Sequence, residues 1–122
     1  MINILLVDDH QIVIDGLRGL LEDEAGIGTL YEAQNGKETI LIAEKEEIDL
    51  ILLDIRMPYG GGIMAFDKMK SMPNVRHIPV IFITAYPKAK VKEVVLEKGA
   101  AGFIAKPFDA KILIDTIEKA LD

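Results

Sequence analysis

Five polar side chains that could take part in catalysis or ligand binding follow short apolar runs of the sequence. Three of them are carboxylates, one is a hydroxyl and one is an ammonium group. In chain order they are Asp8, Asp9, Asp54, Thr84 and Lys106. Three carboxylates brought close together would repel and raise one another's pKa, and a divalent cation removes that penalty. Mg²⁺ binds one or two carboxylates, keeps several waters and accepts phosphate as a further ligand. A carboxylate can be the nucleophile that forms an aspartyl phosphate, with Lys and Thr as partners of the phosphoryl oxygens.

Each of these residues also has an ordinary structural explanation. Asp8 or Asp9 could be the N-cap of a following helix, and Asp54 could form a turn. Thr84 is at home in a strand, and an isolated lysine such as Lys106 is usually solvated. The five together at strand ends favour a site.

The elements that would position them alternate from strand to helix along the chain. We predict strands over residues 4–7, 29–33, 49–54, 79–84 and 102–105. Helices are predicted around 13–21, over 36–46, 62–72 and 88–98, and from an Asp109 N-cap onwards. This pattern predicts an α/β fold, a flavodoxin-like (βα)5 doubly wound parallel sheet of five strands in the order 2-1-3-4-5. Ligands of such sheets bind beyond the carboxyl ends of the strands, where the five residues would meet.

Composition narrows the class of protein. The 122 residues, half of them apolar, suit one domain over 1–122, and we expect no output domain in the chain. The chain has no cysteine, which excludes disulfides and thiolate metal sites. A net charge of −6 does not attract nucleic-acid phosphates, so we expect no direct nucleic-acid binding. No leader is visible and no apolar run approaches the roughly 20 residues of a membrane span, so we expect a cytoplasmic protein without membrane contact.

Four motifs give the chain a family resemblance over essentially its whole length. They are LVDD at 6–9, LDIRMP at 53–58 with Gly62 beyond, ITA at 83–85 and GFIAKPF at 102–108. In these motifs the chain resembles the receiver domain of two-component response regulators. The resemblance implies a signalling phosphoacceptor rather than an enzyme, with self-catalysed phosphotransfer and autodephosphorylation as its only chemistry.

The resemblance also implies roles at the acidic positions. Asp54 matches the phosphoacceptor. Asp9 and Asp54 would supply carboxylate oxygens to Mg²⁺, Asp8 would act through a water, and the backbone carbonyl of Arg56 would be a further ligand.

The resemblance also implies roles for residues of the ITA and GFIAKPF motifs, which would respond to the phosphoryl group. Lys106 would pair with the phosphoryl group, Thr84 would turn to hydrogen-bond it, and the Ala85 N–H would join. Phe103 matches the aromatic side chain that turns inward with the threonine, although plain core packing is its alternative explanation. The peptide bond between Lys106 and Pro107 would be cis.

Two places depart from the family pattern or add to it. Gly61 stands where the family often has an aspartate N-cap, within the run YGGG at 59–62, and we expect a mobile loop there until metal or phosphate orders it. Arg56 and Tyr86 each lie two residues beyond a key position. We hypothesise that they shield the acyl phosphate from water; the alternative is that both point to solvent. His10 is expected to be an exposed residue at a helix start.

The expected partners are a sensor histidine kinase or a histidine phosphotransfer protein, and a downstream protein target or a missing output domain. The phosphodonor would dock near Ile12, Val13 and Phe108, and the output face would be the fourth helix, fifth strand and fifth helix.

An aspartate-nucleophile phosphatase, an alternative function, would need a second aspartate two residues after the nucleophile, where this chain has Arg56. A flavodoxin-like cofactor binder would need a phosphate cradle in the first loop, which is acidic here. A degenerate receiver that acts only by contact is a third alternative.

Overall fold

The computed structural model describes residues 1–57 and 61–122 of the chain. It is a five-stranded parallel sheet in the order β2-β1-β3-β4-β5, as predicted. The strands are β1 (Ile2–Val7), β2 (Ile27–Ala33), β3 (Leu50–Asp54), β4 (Val80–Thr84) and β5 (Gly102–Ala105). The helices are α1 (Gln11–Leu21), α2 (Gly36–Lys45), α3 (Gly61–Lys70), α4 (Ala89–Glu97) and α5 (Ala110–Ala120).

The sheet separates two apolar cores. Side chains of α1 and α5 pack on one face, and those of α2, α3 and α4 pack on the other. Every residue of β3 and β4 is buried, which is why these two strands are continuous apolar runs up to their last residues, Asp54 and Thr84. Phe66 of α3 meets Phe82 of β4 edge to face, with ring centroids 5.2 Å apart. The central strands are therefore packed against helices on both faces, which holds the residues at their carboxyl ends in defined positions.

Two side-chain caps and one glycine mark three of the helix ends. Asn35 accepts from the Glu38 N–H at the start of α2, and Asp109 accepts from the Ile112 N–H at the start of α5, so the predicted Asp109 cap is confirmed. Gly99 follows α4 with a φ of 100°, the left-handed conformation expected of a glycine that ends a helix.

The strands β1 and β2 begin earlier than predicted, at Ile2 and Ile27. Asn3 holds this end together: its Oδ1 accepts from the Thr29 N–H at 2.9 Å, and its own N–H donates to the Asp49 carboxylate at 2.8 Å. Polar side-chain bonds of this kind extend the ladder beyond the apolar run that the sequence displays.

Two glycines shape the start of α3. The backbone of Gly61 has a φ of 73°, and a Cβ there would lie 2.6 Å from the Ile55 carbonyl oxygen. A Cβ on Gly62 would lie 2.2 Å from the Asp54 carbonyl oxygen. The chain therefore folds back tightly on the end of β3, which only glycine allows. The helix runs from Gly61 to Lys70 rather than over 62–72, and the expectation of a mobile loop falls largely on Tyr59 and Gly60, which lie outside the described residues.

Within residues 1–57 and 61–122, no helix is long and apolar enough to cross a membrane.

Candidate functional site

The carboxyl ends of four strands meet at one edge of the sheet. The registers place Val7 beside Leu53, Asp54 beside Ile83 and Thr84 beside Ala105. The backbone ladder continues one residue further, since the Asp8 N–H donates to the Ala33 carbonyl at 3.2 Å and the Lys106 N–H to the Thr84 carbonyl at 2.8 Å. The sheet itself thus delivers the polar residues to this edge.

Lys106 joins two of the predicted carboxylates. Its Nζ lies 3.4 Å from Asp8 Oδ2 and 3.9 Å from Asp54 Oδ1. The Asp8 side chain is 2 % exposed and that of Asp54 is 9 % exposed, so the ammonium serves two buried anions at once. One cation cannot neutralise two buried carboxylates, and the cluster keeps an excess of negative charge.

That excess changes the acidity of Asp54. The pKa of its carboxyl is raised from 3.8 to about 6, chiefly by burial and then by the charge of Asp8, against the lowering effect of the Lys106 ammonium. A bound cation would favour the ionised form of Asp54.

Asp9 lies at the rim, with 26 % of its side chain exposed. Its Oδ1 is nevertheless buried and has no hydrogen-bond partner among the described residues. A buried carboxylate oxygen without a donor is costly in a protein, and a divalent cation is the kind of partner that satisfies it. The oxygen-rich donor set of Asp8, Asp9 and Asp54 therefore fits Mg²⁺.

The hydroxyl of Thr84 has a different partner. Its side chain is buried, and Oγ1 accepts from the Tyr86 N–H at 3.0 Å. No hydrogen bond joins Thr84 to the carboxylates in the described part of the chain. Ala85, the next residue, is exposed at the mouth of the site.

Phe103 lies on β5, two strands from Asp54 of β3. It lies opposite Phe82 in the β4–β5 register and packs, half-buried, against the core on the α2, α3 and α4 side. Its surroundings are those of a core residue with one face open to solvent.

Arg56 and Tyr86 lie at the mouth of the site and contact each other, which their positions in the sequence do not reveal. The Arg56 guanidinium lies 4.3 Å from the centre of the Tyr86 ring, a cation–π pair. They occur 30 positions apart, and only the pairing of β3 with β4 shows that they are neighbours.

The peptide bond between Lys106 and Pro107 is cis.

His10 stands at the start of α1 with 67 % of its side chain exposed, as predicted, but its contacts with the carboxylates were not predicted. It is the N-cap residue of α1, without a side-chain capping bond, so neither Asp8 nor Asp9 is that N-cap. Asp8 Oδ1 instead accepts from the His10 backbone N–H at 2.9 Å, and the ring Nδ1 lies 3.2 Å from the same oxygen.

A family model described as the response regulator receiver domain matches residues 4–118 of the chain. This chain belongs to the response regulator receiver domain family. The family consists of receiver domains of two-component response regulators, which are signalling phosphoacceptors rather than classical enzymes.

Relatives of this receiver domain include two bacterial regulators. The response regulator UvrY of Escherichia coli is 35 % identical over 87 % of the chain, which covers 48 % of that protein. The transcriptional regulatory protein YdfI of Bacillus subtilis is 32 % identical over 99 % of the chain, which covers 55 % of that protein. The receiver domain thus spans about half the length of these curated relatives.

The solved structures agree on the fold. The chemotaxis protein CheY4 of Vibrio cholerae is 26 % identical to this receiver domain, with a TM-score of 0.89 and 99 % of each chain covered. The predicted flavodoxin-like fold is confirmed.

Proposed function

We propose that the chain is a cytoplasmic switch that accepts a phosphoryl group on Asp54 with Mg²⁺. The observation that carries the proposal is the pair of buried carboxylates of Asp8 and Asp54, which share the single ammonium of Lys106 at 3.4 and 3.9 Å. Such a cluster has too much negative charge for its burial, and a cation together with a phosphoryl group would complete it.

The chemistry is an in-line displacement on phosphorus. An Asp54 oxygen would form the new P–O bond as the P–N bond of a phosphohistidine, or the P–O bond of acetyl phosphate, breaks. The departing group keeps the electron pair; the imidazole takes its proton from solvent or from the donor protein, whereas acetate leaves as the anion.

The protein supplies position and charge for this step. Lys106 would hold the phosphoryl oxygens, and Asp8, Asp9 and Asp54, with the carbonyl of Arg56, would hold the cation. Bound Mg²⁺ would neutralise charge on the phosphoryl oxygens. Hydrolysis of the acyl phosphate, also self-catalysed, would reset the site.

The output would start at Thr84. Its hydroxyl would leave the Tyr86 N–H and donate to a phosphoryl oxygen, beside the Ala85 N–H. The space vacated on the β4–β5 side would then be filled by Phe103, which is half-buried on the neighbouring strand. The two packings form a two-state equilibrium that phosphorylation biases, and the α4, β5 and α5 face would report it.

The proposed partners follow from the same chemistry. The donor would be a sensor histidine kinase or a histidine phosphotransfer protein, docking beside Ile12, which is 80 % exposed near the site. The receiver of the signal would be a downstream protein or an output domain, and the net charge of −6 argues against direct contact with nucleic acid.

Intact mass after incubation with acetyl phosphate tests the proposal. We expect one added phosphoryl group in the wild type with Mg²⁺, and none with EDTA or in Asp54→Asn. Asp23→Asn, at an exposed aspartate in the turn after α1, is the matched control and should still be labelled. Labelling that persists in Asp54→Asn would refute the assignment of the acceptor, and absence of both labelling and Mg²⁺ binding would indicate a receiver that acts by contact alone.

A further inference from the structure

The imidazole of His10 lies across the two acidic residues that precede it. Its Nδ1 is 3.2 Å from Asp8 Oδ1 and 3.1 Å from Asp9 Oδ1. One ligand atom from each of the three residues falls within 4.8 Å of the others. The three residues therefore present one nitrogen and two oxygens to the same small volume.

These separations suit a common metal ion. Donors bound at about 2.1 Å and at right angles to one another lie about 3.0 Å apart, and tetrahedral donors lie slightly further apart. A hydrogen bond explains the arrangement less completely, because the single position on Nδ1 cannot point at both carboxylates. The contact with Asp9 indeed fails as a hydrogen bond, and Asp9 Oδ1 is left buried without a donor in the described part of the chain.

A second observation points into the same crevice. The Asp54 side chain is 9 % exposed and accepts no hydrogen bond from the described residues; its nearest cation is Lys106 at 3.9 Å. Lys106 Nζ links this carboxylate to Asp8, whose Oδ2 lies 3.4 Å from the ammonium and whose Oδ1 lies 3.2 Å from His10 Nδ1, so the groups border one crevice.

We propose that His10 Nδ1 is a further metal donor of this site, so that the site takes borderline divalent ions such as Co²⁺ or Ni²⁺ with a nitrogen ligand that Mg²⁺ does not use. The inference rests on the proposed function, because it concerns the same carboxylates. Imidazole favours the later first-row metals, whereas Mg²⁺ prefers oxygen donors and water. His10 then sets which ions compete with Mg²⁺ for the phosphoacceptor site.

His10→Ala is a suitable test because it removes only the ring. The backbone N–H of residue 10, which donates to Asp8 Oδ1 at 2.9 Å, remains in the variant. The other histidine of the chain, His77, is exposed and lines a cavity at the opposite edge of the sheet, so His77→Ala is the matched control.

Calorimetric titration of each protein with Co²⁺ and separately with Mg²⁺ gives the decisive comparison. Loss of outer-shell partners alone lowers metal affinity about 10–100-fold, so loss of a direct donor should weaken Co²⁺ binding at least about tenfold. We expect Mg²⁺ affinity to stay within about twofold, because its ligands are oxygens. In nitrogen-15 NMR, one equivalent of diamagnetic Zn²⁺ should shift the Nδ1 resonance of His10 and leave that of His77 in place.

The outcomes separate the two proposals. If His10→Ala changes Co²⁺ and Mg²⁺ affinity by the same factor, the ring acts only as a counter-charge and the inference is overturned. The same holds if Co²⁺ affinity does not change or Zn²⁺ leaves the His10 resonance unmoved. Phosphorylation of the wild type with Mg²⁺ would in either case leave the proposed function standing, whereas a wild type that neither binds Mg²⁺ nor takes a phosphoryl group would remove both.

Discussion

Asp54→Asn should stabilise the fold in the absence of metal. Burial, reinforced by the charge of Asp8 and opposed by the Lys106 ammonium, raises the pKa of the Asp54 carboxyl from 3.8 to about 6, so the folded state holds that proton more tightly than the unfolded chain does. The stabilisation from the protonated form is fully present below pH 3.8 and is lost as the pH rises through about 6. At neutral pH the ionised carboxylate therefore costs stability.

The magnitude follows from the two pKa values. Each pH unit between them corresponds to about 1.4 kcal/mol, so the ionised Asp54 lowers the free energy of unfolding by about 3 kcal/mol at pH 7. At pH 5 the same linkage leaves about half of that cost, because Asp54 is then mostly protonated in the folded state. The neutral amide of asparagine avoids the cost at both pH values.

Urea unfolding in EDTA measures the effect. We expect Asp54→Asn to raise the free energy of unfolding by about 1–3 kcal/mol at pH 7, and by about half as much at pH 5. Asp23→Asn should leave it within about 0.5 kcal/mol, because Asp23 is exposed. Saturating Mg²⁺ should narrow or reverse the difference, since the ion stabilises only the protein that binds it well. A variant less stable than the wild type at pH 7 in EDTA would refute the reasoning.

Two further predictions concern the mouth of the site and the turn behind it. Arg56→Ala combined with Tyr86→Ala should speed loss of the phosphoryl group about two- to fivefold, which corresponds to a cation–π contact worth about 0.5–1 kcal/mol. The dephosphorylation rate is followed by intact mass, and an unchanged rate would refute the shielding hypothesis. Gly62→Ala should cost at least about 2 kcal/mol in urea unfolding, because its Cβ would lie 2.2 Å from the Asp54 carbonyl oxygen. Gly16→Ala, in the open middle of α1, should instead gain about 0.5–1 kcal/mol, and equal effects of the two would show that the close approach does not matter.

The sheet and the main site were predictable from the chain because both depend on strand ends. Buried parallel strands are continuous apolar runs, so the polar residue that ends each run marks the edge of the sheet. That rule was sufficient to bring Asp8, Asp54 and Lys106 together, and their contacts at 3.4 and 3.9 Å follow it. The roles assigned to these residues remain predictions.

Side-chain torsions and long-range neighbours were beyond the reach of sequence. Asp8, Asp9 and His10 can each begin a helix, and the outcome depends on which backbone N–H the Asp8 carboxylate reaches. The contact of Arg56 with Tyr86 depends on how two loops emerge from neighbouring strands. Local patterns contain neither kind of information, because both are decided by packing after the sheet has formed.

The corner made by α4 and β5 has the weakest anchorage in the described structure. β5 has four residues and lies at the edge of the sheet, hydrogen-bonded only to β4, and α4 contributes one buried residue, Val95, where α3 contributes four. Segments with few buried contacts open at the lowest free energy, so backbone amides of β5 should exchange with solvent faster than those of β3. Binding of a partner to this corner should therefore slow the amide hydrogen exchange of β5 and α4 before it changes that of the central strands.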